Sequence, residues 1–111
     1  MSSNNNLIPV DTLFNGLIKK FNPENAQGLD ITYKFNIEGY NPIYIQIKNE
    51  TAKLVDSAEK IDTTLSMTHE TWYKICFNEI SGQDALMDGL ITCEGNLRNF
   101  ASMPKIFDKQ L

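Results

Sequence analysis

His69 is the only histidine of the 111 residues, and so the only side chain whose ordinary pKa lets it change charge near neutral pH. Catalysis built on it would need a nucleophile and an orienting acid. Ser66 and Glu70 are its neighbours in sequence, but at a strand-to-helix junction nothing obliges the three to converge. An exposed residue opening a helix is the simpler reading. Asp62, Asp84, Asp88 and Glu94 include no evident acid/base pair and read as caps and solvated surface. Zinc would have to be assembled from His69, Cys76 and Cys93, whose spacing fits no standard ligand pattern. HExxH, P-loop, GxGxxG and GxSxG motifs are absent. Catalysis is therefore disfavoured, and neither metal nor cofactor is expected. Apolar and sulfur-bearing side chains instead recur on every element from Leu65 to Phe107, the pattern of a domain that holds something greasy.

These residues must be positioned by a single domain: residues 1–9 read as a flexible polar leader and 10–111 as the folded unit. A net charge of −4 argues against a nucleic-acid partner and against purely electrostatic attachment to anionic membranes. No apolar run reaches the roughly 18 residues of a membrane span. Met1-Ser2-Ser3-Asn4-Asn5-Asn6 lacks the signature of a signal peptide, so a cytoplasmic location is expected. Lys109-Gln110-Leu111 only faintly resembles a peroxisomal address. Cys76 and Cys93 read as buried thiols, and Asn49-Glu50-Thr51 as an accidental glycosylation sequon.

Val10, Leu13, Phe14, Leu17, Ile18 and Phe21 follow helical spacing, with Asp11 as cap and Pro23 as stop. The period then becomes two. Ile31, Tyr33, Phe35 and Ile37 mark one strand, and Ile43, Ile45 and Ile47 the next. A tight turn at Asn49-Glu50 leads to a third strand near Thr51–Asp56, and a fourth covers Asp62–Thr68. Short connections predict an antiparallel meander. A helix follows over Glu70–Asn78. Ser81 then caps a short helix bearing Ala85 and Leu86, which Gly89 ends. Leu90–Glu94 is a fifth strand, and Asn96 caps a final helix that Pro104 should kink or split. The fold class is α+β, a five-stranded, largely antiparallel sheet with helices on one face.

The order and spacing of these segments resemble the sterol carrier protein 2 (sterol-transfer) family over about residues 10–108. The carriers are Leu13-Phe14, Ile61-Asp62-Thr63-Thr64-Leu65 and Glu70-Thr71-Trp72-Tyr73-Lys74-Ile75, followed by Ile80 through Gly89 and Glu94-Gly95-Asn96. Members commonly place a glycine soon after the Trp-bearing helix. Here Asn78-Glu79 stands there, and asparagine tolerates the left-handed backbone such a turn uses.

The resemblance implies that sheet and helices enclose an apolar tunnel for a sterol, fatty acid or fatty acyl-CoA. Its expected wall is Phe35, Leu65, Met67, Trp72, Ile75, Leu86, Met87, Phe100, Met103 and Phe107, with Gln83 near a head group. The final helix is either a packed element or a flap over the tunnel mouth. The implied activity is non-covalent lipid binding and transfer by a monomer or weak homodimer, with transient membrane contact. The alternative is a non-catalytic accessory module, with a self-filled core, for an enzyme of lipid or lipid-quinone metabolism.

Overall fold

Alternation of apolar and polar residues dictates the sheet, and the computed structural model, which describes residues 9–107, realises it. The strands are β1 (Ile31–Ile37), β2 (Ile43–Lys48), β3 (Thr51–Val55), β4 (Thr63–Met67) and β5 (Ile91–Gly95). The helices are α1 (Val10–Lys19), α2 (His69–Cys76), α3 (Gly82–Met87) and α4 (Leu97–Ile106), with a 3₁₀ turn at Pro23–Ala26. Tyr33, Phe35, Ile37, Ile45, Ile47, Leu65, Met67 and Ile91 share one sheet face and join Phe14, Leu17, Trp72, Ile75, Phe100, Met103 and Ile106 in one buried core. All of the expected leader except Pro9, and the tail tripeptide Lys109-Gln110-Leu111, lie outside the described residues.

The strand order is β3-β2-β1-β4-β5, which corrects the expected meander. β1, β2 and β3 do pair in antiparallel succession, and so do β4 and β5. β4, however, lies parallel to β1, with Tyr33 opposite Thr63 and Ile37 opposite Met67. Asp62 supplies the physical reason. Its amide donates to the Thr32 carbonyl (2.9 Å), and its carboxylate accepts from the Thr32 amide (2.8 Å). This residue, read as surface or cap, clamps β4 to the far edge of β1.

Local signals set most boundaries. Asn49 and Glu50 both have positive φ, 54° and 58°, the backbone of a tight hairpin turn. Asn78 sits at φ 61°, so asparagine does make the left-handed turn after α2. The Ser81 side chain accepts from the Asp84 amide, Asn96 accepts from the Arg98 amide, and Gly89 turns left-handed just past α3. Asp11 is not the cap of α1: Pro9 holds that position in an extended conformation, and its carbonyl accepts the first helical bonds. Asp11 lies in the first turn, where a carboxylate favours the helix dipole. α4 is not split, for the helix continues through Pro104 to Ile106. Cys76 and Cys93 form no disulfide and are half-buried rather than buried. No helix among the described residues is long and apolar enough to cross a membrane.

A polar chain ties α4 to the sheet. Tyr33 Oη donates to the Asn99 carbonyl (2.6 Å), Asn99 Nδ2 donates to Thr63 Oγ1 (2.9 Å), and Thr63 Oγ1 donates to the Asn96 carbonyl (2.8 Å). Burial first, and the Asp62 charge second, push the Tyr33 phenol well above its usual value. The phenolate is therefore easier to form in the unfolded chain. This contribution is complete below about pH 10 and is lost as pH rises from there toward the folded-state value. Urea melts from pH 9 to 11.5 should show stability falling with pH. Tyr33→Phe should lose about 1 kcal/mol at neutral pH and show a shallower alkaline fall. An unchanged slope would assign the alkaline loss to other groups.

Candidate functional site

Among the described residues, no catalytic constellation forms around His69. Its ring is half-buried, not exposed as expected, and lies edge-on to Tyr40 and Tyr73, with centroids at 6.3 and 6.0 Å. Ser66 Oγ accepts a bond from Asn36 Nδ2, and Glu70 pairs with Lys74 along α2. Among the described residues no cluster of three His, Cys, Asp or Glu side chains could hold a metal.

The apolar residues behave differently. Phe35 (β1), Leu65 and Met67 (β4), Trp72 and Ile75 (α2), and Phe100 and Met103 (α4) line one small shared cavity, together with Gly82 and Ile91. Seven expected wall residues are thus brought together from four elements. Ile91 was missed by sequence reading, although its place on the inward face of β5 is marked by strand alternation. The cavity holds only about 10 Å³ of free space, room for about one water molecule.

Two of its lining rings, Phe35 and Trp72, cluster with Phe14. Trp72 stacks on Phe14 (centroids 4.4 Å, planes 14° apart), and Phe35 lies against both, at 4.9 Å from Phe14 and 5.6 Å from Trp72. Trp72 is 2% exposed, and its indole Nε1 is buried with no hydrogen-bond partner. Phe100, 8% exposed, also lines an outer groove of about 250 Å³ with Gln83, Leu86, Leu97, Ala101 and Pro104. Gln83 and Leu86 therefore belong to the groove rather than to the interior.

Met87 is corrected outright: it is 76% exposed and lines neither space. Gly82 and Ala85 take the inward positions of α3, and Met87, two residues beyond Ala85, falls on the opposite side. Phe107 is buried, but it packs against Phe21 (6.1 Å) rather than on the cavity. Two larger hollows, of about 470 and 460 Å³, lie near the Gly39–Pro42 turn. They are lined with more polar groups than the pocket around Trp72.

The matched family model is the SCP-2 sterol transfer family, over residues 14–108. No curated protein matches the chain. Among solved structures, the stereoselective inverting sec-alkylsulfatase Pisa1 from Pseudomonas sp. superposes with a TM-score of 0.79 at 20% identity. That match covers 94% of this chain and 17% of the sulfatase, so this chain spans about a sixth of that enzyme's length. Palmitated SCP2L2 from Aedes aegypti matches with a TM-score of 0.75 at 16% identity, covering 93% of this chain and 97% of that one. The ubiquinone synthesis protein UbiJ-SCP2 matches with a TM-score of 0.61 at 13% identity, covering 86% and 90%. These likenesses establish the shared fold. The family in general binds and transfers lipids without catalysis. With its model spanning α1 to the end of α4, the chain belongs to the SCP-2 sterol transfer family.

Proposed function

We propose that the domain takes up one lipid molecule between the sheet and α2, α3 and α4, entering from the α3/α4 groove past Phe100. The observation that carries this reading is the double role of Phe100, which walls the inner cavity and the outer groove at once. Displacing one ring would join the two spaces. Pro104 supports such movement, because it has no N–H to donate to the Phe100 carbonyl one turn earlier. Met67 and Met103, unbranched and adaptable, are suited to reshape around the entering chain.

Burial of apolar chain supplies the affinity. At about 0.8 kcal/mol per methylene, a tail of about 15 methylenes gains on the order of 12 kcal/mol at best. Ordering of ligand and protein takes back several kcal/mol, leaving micromolar to nanomolar binding. Specificity then follows the length and width of the opened space, and sterols, fatty acids and acyl-CoA are all candidates. Native mass spectrometry of freshly purified protein should reveal a stoichiometric lipid increment that delipidation removes and added lipid restores. A bare mass that takes up nothing across a panel of lipids would sink the proposal.

The nearly filled cavity favours a second reading, a self-filled accessory module for a lipid or lipid-quinone enzyme. The likeness to a ubiquinone synthesis protein and to one part of a sulfatase is in keeping with it. In that case α4 presents its outer face to a partner, and dimerisation or partner binding would persist without lipid.

A further inference from the structure

Met87 is the most exposed large apolar side chain among the described residues, at 76%, and Leu97 follows at 54%. Leu97 lines the α3/α4 groove, whereas Met87 lines neither the groove nor the inner cavity. Met87 stands beside that groove all the same, one helical turn beyond Gln83 and next to Leu86, which both line it. One face therefore carries an apolar knob and an apolar hollow of about 250 Å³ as neighbours.

Charge is ordered across the same face. α3 carries Asp84, with Asp88 as its C-cap, and no basic residue, while α4 carries Arg98 and Lys105 and no acidic one. All of these are exposed, and none is in an ion pair among the described residues. Helical spacing sets where they stand. On α3, Gly82 and Ala85 are buried and Gln83 and Leu86 line the groove, which leaves Asp84 and Asp88 to the flank away from it. On α4, Met103 and Ile106 are buried and Leu97, Ala101 and Pro104 line the groove, so Arg98 and Lys105 take its far flank. The order across the surface is acidic flank, Met87, groove, Leu97 and Ala101, basic flank.

That order is its own complement. A two-fold rotation about an axis running along the groove lays the acidic flank of each copy on the basic flank of the other. It also sets each Met87 against the Leu97 side of the other copy's groove. A phospholipid surface fits less well, because Asp84, Asp88 and a net charge of −4 oppose anionic head groups. The same net charge disfavours indiscriminate self-association, so a second copy needs a face on which opposite charges meet.

We propose that two copies of the chain pair through this face, α3 of each on α4 of the other, with Met87 seated at the other copy's groove. The pairing does not depend on lipid uptake. Where lipid does enter by the groove, the second copy covers that entrance, so pairing and entry exclude each other. Two short helices a side make a small interface, with micromolar rather than nanomolar affinity.

Sedimentation equilibrium of delipidated protein from about 5 to 500 μM should show monomers and dimers in exchange. Met87→Ser should weaken the dimer by about tenfold. The decisive variants reverse one flank each. Asp84→Lys with Asp88→Lys makes both flanks basic, and Arg98→Glu with Lys105→Glu makes both acidic. Either variant alone should stay monomeric in about 0.05 M salt, where exposed charges are screened little. Mixed together, the two should dimerise, because every flank again meets its opposite. Circular dichroism checks that the variants, altered only at exposed positions, remain folded. Wild-type protein that stays monomeric throughout would overturn the proposal. A dimer indifferent to Met87→Ser and to both reversals would do the same, as would reversed variants that fail to recover on mixing. Monomeric wild-type protein that sediments with phosphatidylglycerol vesicles, and does so less after the Arg98 and Lys105 reversal, would assign the face to a lipid surface instead.

Discussion

Replacing Gly95 by alanine should lower stability by about 3 kcal/mol and the melting temperature by about 15 °C. Gly95 ends β5 with φ 91°, a backbone region that L side chains avoid at a cost of about 1–2 kcal/mol. Space is short as well. A Cβ there would meet the Asp62 carbonyl oxygen closer than any real contact, with the Asp62 carbonyl carbon and Thr63 Cα also crowded. These are backbone atoms, which cannot swing aside as a side-chain tip would. Asp62 is also where three hydrogen bonds meet: its amide and carboxylate hold Thr32, and its carbonyl accepts from Asn96. Relieving the clash therefore loosens the β1–β4 clamp and the entry to α4 together. Gly16→Ala provides the control of opposite sign. That glycine is exposed in the interior of α1 with nothing within 4 Å of the added carbon, so alanine should stabilise by about 0.5–1 kcal/mol. Urea melts of the two variants beside the parent give both values. A Gly95→Ala loss below about 1 kcal/mol would mean that the β4–β5 junction relaxes freely and that Gly95 is no constraint.

The Gly95–Asp62 contact also marks where sequence reading ran out. Alternation identified the inward faces of the strands, and the capping residues Ser81 and Asn96 identified the starts of α3 and α4, because both signals are local. The parallel β1–β4 pairing is not local. Nothing in the period of Thr63, Leu65 and Met67 says which edge they join, and Asp62 carries that information only through its bonds to Thr32. The cavity shows the same division. Helical and strand periods bring Phe35, Leu65, Met67, Trp72, Ile75, Phe100 and Met103 inward. They do not say how tightly these side chains fill the space, and volume was legible only from their packing. Met87 was misplaced because one turn of α3 seats only Gly82 and Ala85 inward, and a methionine carries no mark of which side it takes. The unpaired indole nitrogen is likewise visible only once every possible acceptor has been located.

Phe100→Asp should weaken lipid binding by at least about 100-fold while the protein remains folded, and Phe100→Ala should instead speed lipid uptake by about tenfold. The two variants separate a gate from a piece of core. Aspartate places a carboxylate at the junction of groove and cavity, across the path of an apolar chain, where ionised groups are strongly disfavoured against hydrocarbon. The groove side leaves the carboxylate a route to water, so the folded protein without lipid bears only part of that cost. Alanine removes the ring that lines both spaces. The chain then meets an open path, and the bound state loses one contact out of the whole wall, so affinity should change only a few-fold. Stopped-flow fluorescence of the single Trp72 gives uptake rates, equilibrium titration gives affinities, and melts in the absence of lipid give stability. Proportional loss of stability and lipid binding in both variants, with no faster uptake in Phe100→Ala, would make Phe100 an ordinary core residue. Faster uptake with stability lowered by about 1–3 kcal/mol is the signature of a partition, a ring that excludes water from the closed cavity and yields to an entering lipid.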